Sequence, residues 1–210
     1  FPGGLTVTLR SGLRNPNATV ETALPSPTRE PPLPSTGAPE PVGMADEFHI
    51  GILLYDGFEA ISAVVPHSVW EAAGRTAACS VTLYSLVPTD TVTARSGVAV
   101  APDDVLIGTP DLVVVPGGYA EEDAGDSLPP EDEYVKRVRT LLDGGARVAA
   151  IGSGAVRMAQ AGLLDGRRAT TSSDLLDALR ATDATVVDTA MVDAGDVITV
   201  AGPGSSIDLA

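Results

Sequence analysis

The sequence predicts an α/β fold, doubly wound, with a mostly parallel sheet and helices on both faces. Three observations carry that reading. Apolar runs of strand length alternate with helix-length segments from Phe48 onward. Several of these runs are almost continuously apolar, as strands covered on both faces must be. Turn-forming residues follow them at Asp56-Gly57, Pro116-Gly117-Gly118 and Gly152-Ser153-Gly154.

The elements follow in order. His49 to Leu54 is the first buried strand, and Ile61 to Ala73 reads as a helix stopped at Gly74. Val81–Leu86 is the second strand. Thr91–Arg95 and Val98–Ala101, joined across Ser96-Gly97, read as a hairpin extension. Asp111–Val115 is a further buried strand. The acidic loop Glu121–Glu133 leads into a helix over Tyr134–Asp143, closed by Gly144-Gly145. Arg147–Ile151 is a strand that breaks directly into a helix beginning at Ala155. A helix from Asp174 to Arg180 and strands near Thr185–Asp188 and Val197–Val200 complete the alternation. The last residues, Ser206 to Ala210, read as the opening turn of a helix that the chain cuts short.

Residues 1–43 contain nine of the 17 prolines and no periodic apolar pattern. Such a segment cannot bury enough surface to offset its ordering entropy, so it is expected to be disordered or extended. Met44 then opens a stretch that looks like a natural start, giving a proposed domain over residues 44–210. The first 30 residues lack a basic-then-apolar signal layout, and no apolar run is long enough to span a bilayer. The expected location is cytoplasmic.

Acidic residues outnumber basic ones 28 to 13, giving a formal charge of −15. That surface argues against direct binding to nucleic acid or anionic membranes. It fits either a high-salt cytoplasm or an acidic protein from an alanine- and arginine-rich proteome. The single cysteine, Cys79, excludes internal disulfides and cysteine metal clusters; it is expected as a buried structural thiol at the start of a strand.

Chemistry in an open α/β sheet collects at the carboxyl ends of strands near the switch point. Gly117-Gly118 can offer backbone N–H groups to an oxyanion or carboxylate, or simply form a tight turn. Gly152-Ser153-Gly154 has the form of a nucleophile elbow, a strand turning sharply into a helix with its apex at one residue. The small pair Ala150 and Gly154 places the apex at Gly152, which has no side chain to react. A helix N-terminus there can still cradle an anion. Ser153 as a nucleophile needs a base, and the only histidines are His49, which opens the first strand, and His67, inside the first helix. Glu59 is a candidate general base acting on water, or else an early acidic residue of the first helix. Asp56-Gly57 reads as a turn. The acidic run from Glu121 lacks the oxygen-ligand spacing of a calcium loop, so no metal and no cofactor are expected.

The strand ending Pro116-Gly117-Gly118, the turn at Gly152 and the stretch Ala161-Gly162-Leu163-Leu164-Asp165-Gly166-Arg167-Arg168-Ala169-Thr170-Thr171 together resemble the DJ-1/PfpI superfamily, whose sheet is flavodoxin-like. Within it the closest likeness is to the isocyanide hydratase branch and to the amidotransferase-like domains fused to AraC-type regulators. Asp193-Ala194-Gly195 and Ala201 to Leu209 fit the same branch, and the resemblance covers about residues 48–210.

The resemblance implies a catalytic cysteine at the elbow apex, followed by threonine. Aligned on Ala161-Gly162-Leu163, those positions hold Gly152 and Ser153. The branch's Ala-Thr-Thr-His-Trp motif appears as Ala169-Thr170-Thr171-Ser172-Ser173, so Ser172 stands for the histidine. The acidic residue that assists the cysteine, four positions before the first helix's proline, is Ser62 relative to Pro66. The resemblance therefore implies a non-catalytic domain that binds or senses a small molecule, with a place in a transcriptional regulator as one form of that role. Its ligand would lie among Gly117, Gly118, Gly152, Ser153, Gly154, Thr171 and Ser172, with Glu59 at the edge. Family members usually dimerise through helices near this site, so a homodimer is expected. The alternative is an active hydratase, hydrolase or amidotransferase-like enzyme using Ser153 or a Glu59-activated water.

Overall fold

The computed structural model describes residues 47–118 and 133–210. The first strand, β1, is Phe48–Leu53, and the first helix, α1, is Ala60–Ala73. Strand β2 follows at Cys79–Ser85. Short strands β3 (Val92–Thr93) and β4 (Ala99–Val100) pair antiparallel, so the hairpin read across Ser96-Gly97 is present. Next come β5 (Asp104–Val105), β6 (Leu112–Val115) and α2 (Glu133–Asp143). Strand β7 (Arg147–Ile151) runs into α3 (Ser153–Gln160). The remainder comprises β8 (Arg168–Ala169), α4 (Leu176–Arg180), β9 (Thr185–Val186), β10 (Met191–Asp193), β11 (Val197–Val200) and α5 (Ser206–Leu209).

Among the described residues, seven strands form the main sheet in the order β10-β11-β7-β6-β1-β2-β5. All neighbours are parallel except β10 and β11. The chain grows outward from β1 through β2 to β5, then returns to β6 on the other side of β1. The switch point therefore lies between β1 and β6, and their carboxyl ends are where a ligand site is expected.

Strand residues alternate between two apolar layers, as side chains on a pleated strand must. Leu53, Val113, Val115, Val148 and Ala150 pack with α2 and α3 through Val138, Leu141, Val156 and Met158. Ile50, Ile52, Val114, Ala149, Ile151 and Val200 pack on the opposite face with Ala63 and Trp70 of α1. Covering both faces explains why β6 and β7 read as unbroken apolar runs: all four residues of β6 are buried, and so are the last four of β7.

Several expectations needed correction. Strands β5 and β10 carry no strand signature in the sequence; each is two or three residues long at a sheet edge, with exposed positions. The helix expected from Asp174 begins as a 3₁₀ turn over Ser173–Leu175 and is α-helical only from Leu176. The strand at Thr185–Asp188 is confined to two residues, paired with β8 outside the main sheet. Cys79 does open β2, but it is partly exposed and not buried. Residues 1–43 and the acidic loop before Glu133 lie outside the described residues.

Candidate functional site

Four chain segments meet beyond the carboxyl ends of the central strands: Tyr55–Glu59 after β1, Pro116–Gly118 after β6, Gly152–Gly154 after β7, and Ala201-Gly202 after β11. The β7–α3 turn is an elbow. Gly152 sits at φ 54°, ψ −124°, a left-handed conformation in which a side chain is strained. Its N–H donates to the Val200 carbonyl at 2.8 Å, and its carbonyl accepts from the Thr171 hydroxyl at 2.8 Å and from the Ala155 N–H at 2.9 Å. These contacts from three sides hold the apex in place.

Gly154 shows why small residues flank such an apex. A Cβ on it would lie 2.8 Å from the Val115 carbonyl oxygen and 2.9 Å from that of Pro116, closer than packed atoms can approach. A Cβ on Gly152 would instead meet nothing nearer than Gly202 Cα at 3.8 Å and the Ala201 oxygen at 3.9 Å. The elbow therefore has room for a side chain at its apex and has none there.

Both backbone donors of the Gly117-Gly118 pair are engaged from within the protein. Gly117 N–H donates to the Ser62 hydroxyl at 3.2 Å, and Gly118 N–H donates to the Ser153 hydroxyl at 2.9 Å. Ser62 in turn donates to the Glu59 carbonyl at 2.8 Å. The turn is fastened further by Glu59 N–H to the Gly117 carbonyl at 2.7 Å and by the Tyr55 hydroxyl to the Pro116 and Gly117 carbonyls at 3.1 and 2.9 Å. A Cβ on Gly118 would fall 2.6 Å from Phe58 Cα and 2.8 Å from the Tyr55 hydroxyl, besides striking the Gly57 carbonyl. Close packing accounts for Gly118, and its donor does not face an open cradle. Ser153 likewise points back to this loop, not out from the apex.

Glu59 takes the N-cap position of α1, but its side chain makes no cap hydrogen bond. Its carboxylate instead lies beside the elbow. A Cβ on Gly117 would be 3.3 Å from both Glu59 Oε2 and Ser153 Oγ. Burial pushes the Glu59 carboxyl above its ordinary value; the Arg95 charge opposes that rise and the Asp174 charge adds to it.

Thr171 is buried with its hydroxyl turned to the Gly152 carbonyl, whereas Ser172 is partly exposed near Gly202. His49 lies at the amino end of β1, its ring bonded to the Ser80 and Tyr84 hydroxyls at 3.1 and 2.9 Å. It is therefore remote from the elbow. His67 is partly buried within α1, which packs on the sheet face opposite α3. Among the described residues no group of three or more His, Cys, Asp or Glu side chains is placed to hold a metal, and no helix is long and apolar enough to cross a membrane.

Two contributors were not legible from sequence. Tyr55 locks the Gly117 loop, and Arg157 sits 7% exposed on α3 with its guanidinium 4.6 Å from the Tyr134 ring centre and 5.3 Å from that of Tyr55. Burial lowers the Arg157 pKa to about 10, partly offset by Tyr55. The one signal available was a cation among residues that are otherwise apolar: Val156, Met158 and Ala159.

Known structures share this architecture. A DJ-1 superfamily protein from Salmonella typhimurium is 26% identical with a TM-score of 0.64, over 76% of this chain and 84% of that one. Drosophila melanogaster DJ-1beta is 25% identical with a TM-score of 0.64, over the same shares. A ThiJ/PfpI family protein from Pseudomonas syringae, 23% identical over 83% of this chain and 73% of its own, shares the fold with a TM-score of 0.64. No functionally curated protein matches the chain. The model of the DJ-1/PfpI family matches residues 49–210, a span that takes in the elbow, the Gly117 loop and all seven strands of the main sheet except the first residue of β1. The chain belongs to the DJ-1/PfpI family.

Proposed function

We propose that this domain binds a small molecule at the elbow without turning it over. The observation that carries this reading is the pairing of a preserved elbow conformation at Gly152 with an apex that has no reactive group. A nucleophile needs a heteroatom at the apex and a base within reach. Gly152 supplies no heteroatom, Ser153 Oγ is committed to Gly118 N–H, and His49 sits at the other end of its strand. Ser62 and Ser172 stand where the isocyanide hydratase-like branch would place its acid and histidine. Placement within that branch, and a role as the ligand domain of a transcriptional regulator, belong to the same proposal. So does a homodimer, for which α1 offers the exposed apolar residues Ile61 and Val64.

One observation favours a second reading. Glu59 lies beside Ser153, and burial favours its protonated form, so it is placed to exchange a proton with water at the elbow. Turnover assays separate the two. Purified protein incubated with an isocyanide, methylglyoxal and a simple amide should release no product above the uncatalysed rate. Product formation that disappears in Ser153→Ala or Glu59→Gln would establish the enzyme instead.

A further inference from the structure

Ile107 and Val87 are the most exposed large apolar side chains among the described residues, at 83% and 65%. They leave the sheet together. Ser85 and Val105 are the last paired residues of β2 and β5, and Val87 and Ile107 each stand two positions beyond that pair. Single exposed apolar residues are ordinary, but the backbone that carries Ile107 is held in place. Arg137 Nη2 donates to the carbonyls of Leu106, Ile107 and Gly108 at 3.2, 3.0 and 2.9 Å, and Leu106 N–H donates to the Ser85 carbonyl at 2.9 Å. An apolar side chain presented on a loop already ordered forfeits little entropy when a partner covers it.

A groove of about 580 Å³ adjoins this pair, with Pro88 and Val105 in its wall beside Asp90, Asp103 and Asp104 and no basic residue. The carboxylates are not placed to hold a metal. Asp103 and Asp104 accept the N–H groups of Leu83 and Val105 at 2.8 and 2.7 Å, and each retains acceptor capacity on a second oxygen. Leu106 N–H faces β2, so Val105 N–H faces the sheet's free edge, where Asp104 already takes it. An added strand would find no donor there, so recognition at this edge falls to side chains. We propose that the β2–β5 edge docks a basic, extended segment of a partner protein. An apolar side chain of that segment covers Ile107 and Val87, and a neighbouring lysine or arginine reaches the carboxylates of the groove. Charge complementarity selects this occupant. A second copy would bring the same carboxylates and its own formal charge of −15, whereas that field draws a basic segment in. The edge lies four strands along the sheet from β7, so the inference does not depend on ligand binding at the elbow.

The test is an NMR titration of the full chain at constant ionic strength with three acetylated, amidated tetrapeptides. One alternates isoleucine and arginine, one isoleucine and glutamate, and one glycine and arginine. The formal charge of −15 attracts any cation to the surface, so the readout is confined to the amides of Val87, Asp90, Asp104 and Ile107. The isoleucine–arginine peptide should shift these amides. Its binding should weaken about tenfold in Ile107→Ser, the loss of one covered apolar side chain, and about threefold in Asp90→Asn, the loss of one exposed ion pair. Both side chains are exposed, so neither substitution disturbs the fold. Equal binding of the glutamate peptide would overturn the choice of a basic partner. Equal binding of the glycine–arginine peptide, or undiminished binding to Ile107→Ser, would leave only diffuse attraction and overturn the docking site. Shifts of the same amides with protein concentration alone would show that a second copy covers this edge, and silence toward all three peptides would also overturn the proposal.

Discussion

Ser153 accepts the backbone N–H of Gly118 at 2.9 Å, a contact between residues 35 positions apart that ties the first turn of α3 to the loop after β6. The side chain that might have served as a substitute nucleophile is thereby a structural clasp. Removing it should cost stability. Ser153→Ala leaves a partly buried donor without its acceptor, and unfolding in denaturant should show a loss of about 1 kcal/mol or more. An unchanged midpoint would mean the hydroxyl is not held there.

The two glycines of the elbow should differ in how they fail. Gly152→Ala has space, with its nearest neighbours at 3.8 and 3.9 Å, and suffers only the left-handed backbone, a loss of about 1–2 kcal/mol. Gly154→Ala drives a methyl to within 2.8 Å of the Val115 carbonyl, so the strand–helix packing must shift. Thermal melts should therefore rank Gly154→Ala well below Gly152→Ala. The reverse order would contradict the placement of the apex.

Glu59 should give stability a pH dependence of a definite sign. Its folded pKa is raised, chiefly by burial, with Arg95 opposing and Asp174 adding to the rise. The folded chain thus holds this proton more tightly than the unfolded one. Its destabilising effect is absent below the unfolded value of 4.5 and complete above the folded one. Glu59→Gln should raise Tm at neutral pH, and the gain should fade as pH drops through the carboxylate range. A difference that stays constant across that range would show the carboxyl is not desolvated.

Arg157 should be difficult to replace even by lysine. Its guanidinium sits over both the Tyr134 and Tyr55 rings, which pack edge to face with centres 4.9 Å apart, and Tyr55 in turn holds the Gly117 loop. An ammonium cannot reproduce that stacking, so Arg157→Lys should lose about 1–2 kcal/mol by denaturant unfolding. It should also shift the Gly117 and Gly118 amide resonances, which a purely local defect on α3 would leave in place.

The elements that were legible in the sequence were those whose physics is local. The all-apolar runs of β6 and β7, the small residues flanking Gly152 and the hairpin at Ser96-Gly97 each carry their own signature. Strands β5 and β10 take their existence from a neighbour's free edge, so nothing within their own residues announces them. The same holds for the site. That Gly152 lacks a nucleophile can be read from one position, whereas the engagement of Gly117 by Ser62 joins residues 55 apart and emerges only when β6 is laid beside β1. Sequence alone leaves Gly117-Gly118 as either donors to an anion or a tight turn, and the folded chain shows those donors engaged by Ser62 and Ser153.

The central claim is that Gly152 is the apex of an intact elbow that carries no nucleophile. The most direct test places a thiol there and follows its alkylation by iodoacetamide against pH, using Gly152→Cys in a Cys79→Ser background because Cys79 is partly exposed. At the N-terminus of α3 the thiol should titrate below the free-cysteine value of about 8.5, and it should react faster than free cysteine at neutral pH. Alkylation with the rate and pH profile of free cysteine would contradict the account.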